Sequence, residues 1–184
     1  ACLQERISMN KVIIVGGGAA GMLCSIIAAR NGCEVFLYEK NEKLGKKLYI
    51  TGKGRCNVTN NCEVEDLLRA VMTNSKFLYS AFYTFNSQDM MALLEEAGVP
   101  LKTERGNRVF PQSDRSSDII RGLERLMKKY DVHVRFRSEV REILTKDGAA
   151  TGISLADGEV QNADAVVVAT GGLSYPTTGS TGDG

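Results

Sequence analysis

Residues 11–39 read KVIIVGGGAAGMLCSIIAARNGCEVFLYE, and the fold turns on this stretch. Lys11–Val15 is short, apolar and rich in β-branched residues, which suits a strand buried on both faces of a parallel sheet. Three glycines follow. Ala19–Asn31 then carries Met22, Leu23, Ile26 and Ile27 at helical spacing, until Gly32 supplies a left-handed stop. Glu34–Glu39 is the next strand. Strand, glycine turn, helix and strand make a βαβ unit, the first element of a doubly wound sheet, so the predicted class is α/β and Rossmann-like. Val12–Ala29 is also an uncharged run long enough to suggest a membrane span or a signal-peptide core. The glycine triplet breaks the helix such a span needs and another strand follows at once, so no membrane partner is expected.

The turn spells Gly16-Gly17-Gly18-Ala19-Ala20-Gly21, a G-x-G-x-x-G match in the strand-to-helix context that gives the pattern meaning. Gly16 permits the tight turn, Gly18 leaves room for a pyrophosphate beside the backbone, and Gly21 lets helix and strand close up. The helix start, with Ala19 and Ala20 in its first turn, supplies N–H donors and the positive end of a dipole. Glu39 ends the second strand eighteen residues after Gly21, where a carboxylate accepts hydrogen bonds from an adenosine ribose. A carboxylate there repels a 2′-phosphate and disfavours NADP, although the neighbouring Lys40 offsets that repulsion.

The rest of the chain alternates in kind. Residues 40–61 are polar, glycine-rich and read as irregular. Val64–Met72, Lys76–Phe85 and Ser87–Ala97 read as helices, the last with Ser87 as N-cap and Gly98 as stop, giving a helical segment at about 63–98. Leu101–Phe110 suggests a hairpin around Arg105-Gly106-Asn107, and Ser116–Tyr130 an amphipathic helix with Ile119, Ile120, Leu123, Leu126 and Met127 on one side. Val132–Phe136, Val140–Thr145 and Thr151–Ala156 read as strands, with hairpin turns at Asp147-Gly148 and Asp157-Gly158. Asp164–Thr170 reads as a further buried parallel strand.

The 184 residues suffice for one domain with a sizeable core, and 43% apolar with 24% charged residues is an ordinary globular composition. A net charge of +1 gives no bulk electrostatic reason for a nucleic-acid partner, so none is expected. Five cysteines without a regular framework point to a reducing, cytoplasmic setting, with Cys24 and Cys33 as small core residues. Residues 1–8 have no pattern and read as an extension ahead of Met9; residues 9–184 read as one domain.

One stretch resists assignment on these grounds. TGKGRCNVTNNC, residues 51–62, suits a phosphate cradle, a redox pair, a metal knuckle or a solvated loop. Cys56 and Cys62 are spaced more widely than a typical redox pair, and no C-x-x-C accompanies the single His133, so no metal site is expected.

Four segments, VIIVGGGAAGMLCSIIAA, LYEKNEKLGKKLYITGKGRCNVTN, RVFPQSDRSSDII and ATGGLSYPTTGSTGDG, together resemble the N-terminal portion of the BaiN/RdsA-type, aminoacetone-oxidase-like NAD(P)/FAD-dependent oxidoreductases. The resemblance implies a Rossmann-like FAD-binding fold with a parallel sheet plus a β-hairpin or meander, truncated at its C-terminus. It also implies FAD as cofactor, NAD(P)H as a possible electron donor and a small organic, enone- or steroid-like substrate. In that plan the strand ending at Thr170-Gly171-Gly172 returns past the flavin, and the Val140 amide meets the adenine edge. The loop holding Gly52, Gly54, Arg55, Cys56 and Asn57 runs under the pyrophosphate, with Cys56 present for its small size, and Lys40, Lys47 and Asp183 join the cofactor-binding set. Tyr175 is a candidate proton donor, but no catalytic residue is assigned and the oligomeric state stays open. Two other readings stand beside this one: an NAD-dependent dehydrogenase, and an RNA-modification flavoprotein or non-catalytic nucleotide-binding module.

Overall fold

The computed structural model describes residues 10–173, 177, 181, 182 and 184; the expected extension at 1–8, Tyr175 and Asp183 lie outside them. In chain order the elements begin β1 (Lys11–Val15), α1 (Ala19–Arg30), β2 (Glu34–Glu39), β3 (Thr59–Asn60), α2 (Val64–Ala70), α3 (Tyr79–Thr84) and α4 (Ser87–Glu96). They continue β4 (Leu101–Glu104), β5 (Arg108–Pro111), α5 (Ser116–Lys129), β6 (His133–Phe136), β7 (Val140–Lys146), β8 (Ala149–Leu155), β9 (Val160–Asn162) and β10 (Ala165–Val168). The chain divides into two compact units: residues up to Lys47 together with those from Leu126 onward, and Leu48–Arg125.

The first unit is built on a parallel sheet in the order β10-β1-β2-β6. With a neighbour on each side, β1 buries Val12, Ile13 and Ile14, and each fully buried isoleucine stabilises the fold by about 1.5–3 kcal/mol. The chain leaves β1 toward β2 on one side and returns as β10 on the other, so strand order reverses beside β1. Crevices at the carboxyl ends of strands form at such reversals. Helix α1 buries Gly21, Met22, Ser25 and Ile26, and the Ser25 hydroxyl is satisfied by donating to the Met22 carbonyl at 2.7 Å. A meander of β7, β8 and β9 adds Ile153 and Leu155 to a core shared with Ile13 and Tyr38. Arg135 on β6 reaches the turn after β8, bonding Glu159 through both terminal guanidinium nitrogens at 2.7 and 2.9 Å.

Several expectations need correcting here. The strand read as buried around Asp164–Thr170 is parallel, but as β10 it is an edge of the sheet and leaves Val168 48% exposed. The hairpin turn expected at Asp157-Gly158 is present, and it leads into a third meander strand, β9, which is too short to show a periodicity in the sequence. Cys24 and Cys33 are half-buried rather than core: α1 turns Met22, Ser25 and Ile26 inward instead of Cys24, and Cys33 lies in the turn between α1 and β2.

In the second unit, β3, β5 and β4 form an antiparallel sheet in that order, so the stretch 40–61 contains a short strand the sequence did not reveal. Ahead of it, a 3-10 turn begins at Leu48 and breaks at the extended Thr51 and the left-handed Gly52 and Lys53. Helix α4 is capped by Asn86, not Ser87: the Asn86 side chain accepts from the Gln88 and Asp89 amides while Asp89 bonds back to the Asn86 amide. Ser87 is instead buried, its hydroxyl accepting from Thr59. The helix expected over Lys76–Phe85 is a 3-10 turn, Ser75–Leu78, followed by the short α3. All five residues of the predicted apolar face of α5 are buried. Among the described residues no helix is long and apolar enough to cross a membrane.

Candidate functional site

The site is built at the carboxyl ends of β1, β2 and β10. Each turn glycine has its own physical reason. A Cβ on Gly16 would lie 2.6 Å from the Ala169 carbonyl oxygen, and its φ of +104° is one that side chains avoid. A Cβ on Gly21 would lie 1.9 Å from the Gly16 carbonyl oxygen, so α1 can meet the turn this closely only without a side chain there. At Gly17 the space is taken by Leu44 and by the Glu39 carboxylate. Gly18 differs: nothing lies within 4 Å of where its Cβ would be. It is also the N-cap of α1, with no side chain capping the helix and no acid in the first turn, while Ala19 and Ala20 are exposed. Open space in front of an uncapped helix start fits an anionic group approaching the backbone.

Glu39 is buried, at 8% exposure, and its carboxylate is fixed by three donors. The Gly17 amide donates to Oε2 at 2.7 Å, and the Asn41 backbone amide and side-chain amide donate to Oε1 at 2.8 and 2.6 Å. The residue the sequence marked for ribose recognition therefore sits against the turn marked for phosphate recognition. Neither Gly17 nor Asn41 was singled out; the available signal was a short polar amide two residues past a strand-ending acid.

Of the other predicted positions, the structure brings several to this end of the sheet. Thr170 follows β10, with its Cα 3.1 Å from where a Gly16 Cβ would be, and Gly171 turns away at φ +80° beside the exposed Gly172. Val140 starts β7 two residues beyond Ser138, whose amide donates to the Glu39 carbonyl at 3.0 Å. Lys40 donates through Nζ to the Thr181 hydroxyl at 2.6 Å, and Lys47 is half-buried.

Gly52, Gly54, Arg55, Cys56 and Asn57 belong to the second unit. There Gly52, Lys53 and Gly54 are consecutive left-handed residues, and Cys56 is left-handed as well. Arg55 bonds Glu104 and, through Nε at 2.7 Å, Asp114; its guanidinium lies over the Phe110 ring, 4.2 Å from the centroid. Lys102 bonds Asp114 at 2.6 Å, closing a four-residue ion network. Hydrogen bonding to Arg55 holds Glu104 below the usual carboxylate range, and bonding to Lys102 and then Arg55 does so for Asp114. The thiols of Cys56 and Cys62 are free. Burial pushes the Cys56 thiol up, and burial with the Asp66 and Glu63 carboxylates does so for Cys62, so both stay protonated and poorly nucleophilic.

Comparison with known proteins agrees with this fold. The profile of the HI0933-like protein Rossmann domain matches residues 10–184. The chain belongs to that family. It is 33% identical over 178 residues to a 3-dehydro-bile acid delta(4,6)-reductase of Clostridium scindens, covering 96% of this chain and 42% of the reductase. To a ribosomal RNA dihydrouridine synthase of Escherichia coli it is 34% identical over 169 residues, covering 91% of this chain and 41% of the synthase. The chain thus spans about two fifths of the length of these curated relatives. Among solved structures, a flavocytochrome c3 fumarate reductase in its open conformation aligns with a TM-score of 0.70 at 26% identity, over 89% of this chain and 34% of that one. A 3-ketosteroid-delta4-(5alpha)-dehydrogenase from Rhodococcus jostii aligns with a TM-score of 0.68 over 92% of this chain and 47% of that one, and at 18% identity it speaks for the fold alone.

Proposed function

We propose that this chain is the FAD-binding Rossmann portion of an oxidoreductase that saturates a carbon–carbon double bond conjugated to a carbonyl group. The observation that carries the cofactor reading is the open Gly18 at an uncapped helix start, beside a buried Glu39 carboxylate bonded to Gly17. The glycine turn and the first turn of α1 would hold the pyrophosphate, and Glu39 would accept from the adenosine ribose. When bound, FAD supplies hydride or electron-pair transfer. The chain's own work is to bind and orient: dipole and N–H groups favour the phosphates, and the fixed carboxylate favours an unphosphorylated ribose. Thr170, Gly171 and Gly172 at the end of β10, with Val140, Lys40 and Lys47, complete the proposed cofactor contacts in this unit.

The substrate class follows from chemistry shared by the relatives' names. A delta(4,6)-reductase of a 3-dehydro bile acid and a dihydrouridine synthase both yield a saturated bond next to a conjugated carbonyl, and a fumarate reductase does the same beside a carboxyl. A small enone with NAD(P)H as donor is the leading reading. The 34% identity to the ribosomal RNA enzyme favours a second, in which the enone is the uracil ring of RNA. Protein expressed from its complete gene should be yellow and release FAD on heating; colourless protein that binds no FAD overturns the cofactor reading. Anaerobic titration with NADH and NADPH identifies the donor by bleaching of the flavin bands. A steroid enone and unmodified ribosomal RNA, offered in parallel, then separate the two substrates, with steep salt dependence expected only for RNA.

A further inference from the structure

Glu39 is held by a residue that is itself held. Lys46 Nζ donates to Asn41 Oδ1 at 2.9 Å, and Asn41 Nδ2 donates to Glu39 Oε1 at 2.6 Å. An ammonium can only donate and a carboxylate can only accept, so the group between them must offer an acceptor on one side and a donor on the other. A primary amide does this in a single orientation. We propose that Asn41 is a positioning residue for nucleotide recognition, its amide fixing the Glu39 carboxylate for a ribose hydroxyl, with Lys46 orienting that amide. This deepens the FAD reading above and rests on it.

The pattern of bonds separates this role from simple packing. Asn41 contributes both donors to Oε1, through its backbone and its side chain, while Oε2 receives the Gly17 amide. A carboxylate accepts about four hydrogen bonds, so these three set its rotation and leave capacity for a sugar hydroxyl. The carboxylate is nearly enclosed, which makes a correctly aimed bond strong and a misaimed one poor. Deleting the Asn41 side chain leaves the backbone bond to Oε1 in place, and with it the local chain path. What is lost is the second restraint on the carboxylate plane. Lys46 is also 3.7 Å from Glu42 four residues back in sequence, a contact that does not involve Asn41.

The test is calorimetric titration of the flavin-free full chain with ADP, 2′-deoxy-ADP and 3′-deoxy-ADP. Wild type should bind ADP about tenfold or more tightly than at least one deoxy analogue, as expected for a hydrogen bond to a charged group. Asn41→Ala should bring that ratio toward one while leaving 2′,3′-dideoxy-ADP affinity unmoved, and should lower the thermal midpoint of the free chain only modestly because the backbone bond to Oε1 remains. Lys46→Met should reduce the ratio part-way, and it decides the matter if Asn41→Ala fails to fold. An Asn41→Ala chain that discriminates as well as wild type overturns the positioning role alone. A wild-type chain that binds ADP without discriminating overturns ribose recognition by Glu39, and one that binds no ADP overturns the nucleotide reading itself.

Discussion

Two glycine-rich loops in this chain look alike as text and differ as physical objects. In the turn at Gly16–Gly21, two glycines are demanded by neighbouring backbone: a Cβ would strike the Ala169 carbonyl from Gly16 and the Gly16 carbonyl from Gly21. In the loop at Thr51–Cys56, neither glycine faces so close a contact. Gly52 would meet the Asn57 amide at 3.0 Å and Gly54 only the Tyr49 carbonyl at 3.8 Å; both are required by φ, at +56° and +85°. The first turn is glycine because neighbouring backbone is close. The second is glycine because its own path is left-handed, and its shape is held by Arg55 bonded to Glu104 and Asp114. A spacing rule detects the first kind. The second needs the conformation.

The sharpest way to break that comparison is at Gly21. Alanine there gains about 1 kcal/mol in helix propensity, but overpacking costs about 1–3 kcal/mol and a backbone oxygen at 1.9 Å cannot move cheaply. Gly21→Ala should therefore lower the urea midpoint clearly; an unchanged midpoint would remove the close-approach argument. Gly18→Ala should do the opposite, costing urea stability only the small loss of a glycine N-cap while weakening ADP binding, because its Cβ enters empty space that the phosphates would need.

Next in size is the second loop. Gly54→Val should destabilise through φ alone, roughly 1–2 kcal/mol for a side chain in the left-handed region, and Gly54→Asn should recover much of that loss. Recovery by asparagine at Gly54 and not at Gly16, compared by thermal melts, would separate the two kinds of glycine. Arg55→Met should open the loop to hydrogen exchange without unfolding the first unit. The same loosening should follow acidification. Glu104 and Asp114 have carboxyls held below their ordinary values of 4.5 and 3.8, so their contribution is complete above those values and is lost as pH falls through the lowered ones. Exchange in Thr51–Cys56 should rise only at strongly acid pH, and a rise already present at pH 6 would contradict the network's role. The smallest effect is expected at Cys62: Cys62→Ser should leave stability and flavin content as they were, and a bleached protein would restore a redox role for that thiol.

Much of the first unit was legible because its signals are local. The β-branched run of β1, the glycine turn, the stop at Gly32 and the strand ending in Glu39 follow one another within 29 residues, and each acts on its own neighbours. The apolar face of α5 was legible for the same reason, since a 3.6-residue period is written in the chain. Less legible were β3 and β9, two and three residues long, whose existence depends on a partner strand rather than on their own composition. The cap of α4 was misplaced by one residue, because Asn86 and Ser87 are both good caps and only the bonds to Gln88 and Asp89 distinguish them.

The sequence by itself determined the βαβ unit and the identity of its glycine turn and strand-ending acid, since spacing and residue type along one short stretch are enough for both. Tertiary structure decided what those residues touch. It set Ala169 against Gly16, placed Gly17 and Asn41 on the Glu39 carboxylate, and put Arg55 into an ion network with residues 49 and 59 positions away. The reason is directional: a hydrogen bond or a steric contact depends on where two atoms lie, and for atoms far apart in the chain only the folded backbone brings them within about 3 Å.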